Sequence, residues 1–86
     1  MRSEIGMNNL IRAVEVAGLD WTRDGNIIHV TCFNGLILDV TVVRLQGHDY
    51  LVSSSDRNET ATNYGMKRID GADPDSIRAY IQGIAG

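Results

Sequence analysis

Leu36-Ile37-Leu38-Asp39-Val40-Thr41-Val42-Val43-Arg44-Leu45 reads as a β-strand with large apolar side chains on both of its faces. Side chains alternate across a strand, so Leu36, Leu38, Val40 and Val42 share one face while Ile37, Val43 and Leu45 share the other. A domain of 86 residues buries only about 60–65% of its unfolded surface, and it rarely has enough chain to cover both faces of a sheet. One apolar face is therefore expected to meet something outside the chain, either a second copy or another macromolecule.

The preceding strand decides which face is which. Asn26 to Cys32 alternates, and a two-residue Asn34-Gly35 loop would set Asp39 opposite Val30 among apolar neighbours. A three-residue Phe33-Asn34-Gly35 loop, with Gly35 as a left-handed bulge residue, pairs Cys32 with Leu36, Val30 with Leu38 and Ile28 with Val40. Register follows the buried pattern, so the second pairing is predicted. The core face is then Trp21, Ile28, Val30, Cys32, Leu36, Leu38, Val40 and Val42. The reverse face carries Ile27, His29, Thr31, Phe33, Ile37, Asp39, Thr41, Val43 and Leu45, of which five are large and apolar. A contiguous apolar patch on a wet sheet face marks an interaction surface.

Upstream, Leu19-Asp20-Trp21-Thr22-Arg23 alternates as well, and Asp24-Gly25 predicts a type I′ hairpin that places Trp21 opposite Ile28 and Leu19 opposite Val30. Before it, Met7, Leu10, Ile11, Val14 and Ala17 recur at helical spacing. They predict a helix over about 4–17, with Ser3 as N-cap and Gly18 as the C-terminal stop. Downstream, Gln46-Gly47-His48-Asp49 reads as a turn and Tyr50–Ser54 as a fourth strand whose facing the pattern leaves open. Ser55 to Thr60 is polar enough to predict a mobile loop, and Thr62–Ile69 supplies a fifth strand. Asp73 then caps a last helix, Pro74 fills its first position and Asp75 lies at the positive end of its dipole. Ile77, Tyr80, Ile81, Ile84 and Ala85 form its apolar stripe.

The expected fold is a single α+β domain over 1–86, a two-layer sandwich. An antiparallel meander of four to five strands carries the N- and C-terminal helices on one face.

Composition narrows the function. Eight basic and eleven acidic residues give a net charge of −3, against direct nucleic-acid binding, which needs clustered Lys and Arg. The N-terminal residues lack the apolar core of a signal peptide, and no run approaches the roughly 18 apolar residues of a membrane span. With a lone Cys32 no intrachain disulfide forms, and a reducing, cytoplasmic setting in a host cell is expected. His29, His48 and their neighbouring carboxylates lack metal-ligand spacing, so neither a metal nor a cofactor is expected. Cys32 faces the predicted core and reads as packing. Ser53-Ser54-Ser55-Asp56 lacks the glycines of an anion-binding loop and reads as a strand end entering a polar loop. Asp70, Asp73 and Asp75 cap the last helix and form a negative patch suited to a basic groove.

Thr62-Asn63-Tyr64-Gly65-Met66, followed by Asp70-Gly71-Ala72-Asp73-Pro74-Asp75-Ser76-Ile77-Arg78-Ala79-Tyr80, resembles the end of a small acidic phage anti-CRISPR protein family that inhibits type I surveillance complexes. The similarity covers less than a quarter of the chain. It implies two helices flanking an antiparallel sheet, and it implies that Asp70, Asp73 and Asp75 contact basic residues of an effector complex.

The functional expectation is a non-enzymatic interaction protein of a phage or mobile element that inhibits a host defence complex by occupying its surface. Its partner-binding residues are Ile27, His29, Phe33, Ile37, Asp39 and Val43 on the open face with Asp70, Asp73 and Asp75 at the acidic turn. The alternative is a small domain that homodimerises through the open face and binds a nucleotide or metabolite between the sheets.

Overall fold

The computed structural model describes residues 4–33, 35–57 and 60–85. Helix α1 (Glu4–Val16) leads into five strands, β1 (Asp20–Asp24), β2 (Ile27–Thr31), β3 (Ile37–Leu45), β4 (His48–Arg57) and β5 (Thr60–Arg68). A short 3-10 turn (Asp70–Ala72) then precedes α2 (Pro74–Ala85). The strands form one antiparallel sheet in the order β1-β2-β3-β4-β5, with both helices packed on the same side. This is the expected α+β two-layer architecture, with five strands.

Each helix presents an apolar stripe to the sheet. From α1 come Met7, Leu10, Ala13 and Val14, and from α2 Ile77 and Ile81, all nearly inaccessible. They pack with Ile28, Val30, Leu38, Val40, Val42 and Leu51 from the strands and with Cys32 and Leu36 from the β2–β3 connection. Removing that much hydrocarbon from water, at about 25 cal/mol per Å², is the main favourable contribution to the fold. Helix α1 ends with paired bonds from Gly18 N–H to Glu15 O and from Leu19 N–H to Val14 O, which satisfy carbonyls the helix itself leaves open. The expected cap Ser3 lies outside the described residues. At the other helix, Asp73 Oδ2 accepts from Ser76 N–H and from its hydroxyl, so Asp73 is the cap expected.

The β2–β3 connection follows the predicted register. Cys32 N–H donates to Leu36 O at 2.8 Å, Val30 pairs with Leu38 and Ile28 with Val40. The β1–β2 turn does not. Asp24 pairs with Ile27 and Trp21 with Val30, so the loop is Gly25-Asn26 and the register lies two residues from the Asp24-Gly25 expectation. Gly25, at φ 61°, takes the first central position, where a type II′ turn needs a positive φ. Asp24 at that position would be strained, and Arg23 Nε braces the turn through Gly25 O at 2.9 Å. A two-residue shift preserves facing, so Trp21 still turns toward the helices.

Two further expectations change. His48 and Asp49 open β4 rather than forming a turn, because Gln46-Gly47 alone makes the reversal and Leu45 pairs with His48. The stretch from Ser55 is strand, not loop: β4 continues to Arg57, which pairs with Thr60 of β5. The Ser-rich run therefore has two sides, with Ser53 and Ser55 buried against the helices and Ser54 on the reverse. Across from it, β5 skips a residue, pairing Gly65 with Ser53 but Asn63 with Ser54. Gly65 at φ 78° and the 2.7 Å bond from its N–H to Asn63 Oδ1 build this bulge. Tyr64, released from pairing, packs on the core and meets Ser55 Oγ at 3.0 Å.

Candidate functional site

Neither helix covers the reverse side of the sheet, and β-pairing places its side chains in rows. Thr41 of β3, Val52 of β4 and Met66 of β5 stand side by side, with Ile27 of β2 next to Thr41. The adjoining row is Val43, Tyr50 and Arg68. Ile27, Val43, Tyr50, Val52 and Met66 thus form a continuous apolar band, with Leu45 at its end. Ile27 is 41% exposed, Leu45 43% and Met66 52%. The band is a contiguous apolar patch on the solvent side of the sheet.

The expected open-face residues divide into two groups. Ile27 and Val43 join the band. Ile37 and Phe33, 51% and 79% exposed, lie beyond a polar row formed by Thr22, His29, Asp39, Ser54 and Asn63. Sequence reasoning missed Tyr50, Val52 and Met66. The facing of β4 rests on its long register with β3, and Met66 reaches the band only because of the bulge at Tyr64.

His29 and Asp39 are direct cross-strand partners, so the sheet brings together a histidine and a carboxylate that lie ten residues apart in the sequence. His29 Nδ1–H donates to Asp39 Oδ1, and His29 Nε2 lies 3.9 Å from Asp24 Oδ2. His48 is at the other end of the sheet, 3.9 Å from Asp70. Among the described residues no three ligating side chains cluster as a metal site. Between β2, β3 and β4 lies a shallow hollow of about 150 Å³ lined by Ile27, Asp39, Thr41, Val52 and Ser54. Small-molecule sites usually span about 300–1,000 Å³, so the hollow is a surface dimple by comparison.

The acidic turn sits apart from this band, and its carboxylates have partners. Arg68 Nε donates to Asp70 at 2.9 Å, Arg78 lies 3.6 Å from Asp75, and Asp73 caps α2. Asp70 and Asp75 remain largely exposed, with relative side-chain accessibilities of 74% and 84%. On the helix side, burial pushes the Cys32 thiol up, which keeps it protonated and unreactive at neutral pH. Asp49 Oδ1 and Ser53 Oγ are buried there without a protein hydrogen-bond partner, and Arg44 approaches the other Asp49 oxygen only to 3.8 Å. No helix among the described residues is long and apolar enough to cross a membrane. Comparison with protein-family models, curated proteins and solved structures found no match.

Proposed function

We propose that this chain is a non-enzymatic protein-interaction module of a phage or mobile element, acting on a host CRISPR-Cas complex by occupying its surface. The observation that carries the reading is the uncovered apolar band of Ile27, Val43, Tyr50, Val52 and Met66. Water contact with such a band is costly, and burial against protein removes that cost. The target class rests on the C-terminal resemblance, and exposed Asp70, Asp73 and Asp75 supply a second, acidic contact for basic effector residues.

The test is direct binding of the purified protein to a purified type I surveillance complex. Association at micromolar concentration, weakened by Asp70→Lys and Asp75→Lys together, supports the reading. No association, with the fold intact by circular dichroism, would overturn it. A second reading, a ligand-binding homodimer, draws on the hollow beside Asp39, which a facing sheet would enclose. Native mass spectrometry of freshly purified protein retaining a nucleotide or metabolite would favour it.

A further inference from the structure

We infer that the occupant of the apolar band is a second copy of this chain, packed sheet to sheet about a twofold axis that runs parallel to the strands between β3 and β4. The inference rests on the reading of the open face as a protein-docking surface, assigns that face to a second copy, and moves the contact with the host complex to the acidic turn. It leaves Asp73 and Asp75, at the start of the helix that follows β5, outside the contact and free for a different protein, with Asp70 held by Arg68 at its margin.

The polarity of the face selects this arrangement. A face-to-face dimer is isologous, so its axis lies in the plane between the sheets. An axis across the strands would lay β1 on β1 of the copy and set Asp20 and Asp24 against their own kind. An axis along β3 itself would stack Asp39 on Asp39. Moved half a strand toward β4, the axis brings compatible side chains together in the three central rows, while Ile37 meets Asp56 and Leu45 meets His48 at the two ends. Ile27 faces Met66 of the copy, Val43 faces Tyr50, Thr41 faces Val52, and the Asp39 carboxylate faces the Ser54 hydroxyl. His29 then faces Asn63, and the acidic margin of β1 in one copy borders Arg68 on the other. The pairings follow from strand order and register alone.

Four strands overlap in this arrangement, β3 and β4 over roughly 26 Å and the five-residue β2 with β5 over roughly 17 Å, and at about 4.8 Å between strands they present about 400 Å² of plane per copy before side-chain relief is counted. That is about half the roughly 800 Å² per partner of standard stable interfaces, the size of a weak dimer that forms at high concentration. The aligned packing that such an axis produces, with strands within about 30° of one another, is the common sheet-on-sheet geometry. The β2–β5 pairing also closes both hollows against the facing copy.

The test is light scattering at high micromolar concentration on four samples. Wild type is expected at about twice the 9.5 kDa of one chain. Ile27→Glu and Met66→Lys, both at exposed positions, are each expected to fall to the single-chain mass with unchanged circular dichroism. An equimolar mixture of the two is expected to return to the doubled mass, because the carboxylate introduced by the first variant then faces the ammonium introduced by the second, while the native Ile27–Met66 contact forms once. A monomeric wild type overturns the inference, and a dimer that both variants leave intact, or that mixing fails to restore, overturns this axis. A monomeric wild type that still binds the purified type I complex would leave the proposed function standing. A protein that does neither removes both.

Discussion

The two faces of the β3 strand differ by one residue of register and by everything that follows from it. Leu38, Val40 and Val42 are sealed under two helices with at most 2% exposure, whereas Ile37, one position away, is 51% exposed. Both sets are large, aliphatic and suited to strands, so side-chain chemistry does not separate them. What separates them is supply: the described residues form two amphipathic helices, both are spent on one side, and the other side keeps its hydrocarbon in water. The closed face therefore carries folding stability, and the open face is left in contact with water.

The largest expected effect falls on the closed side of that comparison. Leu38→Ala should cost about 2–5 kcal/mol in urea unfolding at low protein concentration, since it opens a cavity beneath the helices. Ile37→Ala should stay within about 0.5 kcal/mol, as exposed substitutions do. Equal losses at the two positions would erase the distinction between the faces. Next in size is the attachment of the covering layer. Asp73→Ala removes the acceptor for Ser76 N–H and should lower stability by about 1 kcal/mol, with Asp73→Asn retaining most of it. Smallest is a change that touches neither face. Gln46 holds φ 51° in the β3–β4 turn, and Gln46→Asn should raise stability by about 0.5 kcal/mol, because Asn tolerates the left-handed region that a type I′ turn demands. A loss there would show that the reversal depends on something other than backbone conformation.

The legibility of the fold varied with the strength of local signals. Facing was readable wherever a strand alternated against a partner of opposite polarity: Asp39 among aliphatic neighbours dictated the three-residue Phe33-Asn34-Gly35 loop, and the observed pairs match. Asp73-Pro74-Asp75 announced α2 because cap, proline and dipole charge coincide within three residues. Register through the Asp24-Gly25-Asn26 turn was not readable, since two turn types compete and differ by which residue must take a positive φ. The polar run from Ser53 to Thr60 concealed paired strand, because serine and threonine suit both a loop and a half-covered sheet. The exposed apolar face was legible in the sequence, and its membership was incomplete. Ile27 and Val43 were visible from β2 and β3 alone, but Tyr50, Val52 and Met66 depend on long-range pairing and on the bulge at Tyr64, which only the assembled sheet reveals. The His29–Asp39 contact was implied by the predicted β2–β3 register, since the Ile28–Val40 and Val30–Leu38 pairs bracket it.

The account turns on whether the apolar band is wet in the isolated chain and dry in its working state. Methyl NMR with a soluble paramagnetic agent reads this directly. In dilute protein the methyls of Ile27, Val52 and Met66 should be strongly broadened while those of Ile28, Val40 and Leu51 are spared. On raising the concentration, the first group should become protected. Ile27, Val52 and Met66 methyls that stay fully broadened at every concentration and also in the presence of a purified type I complex would contradict the account.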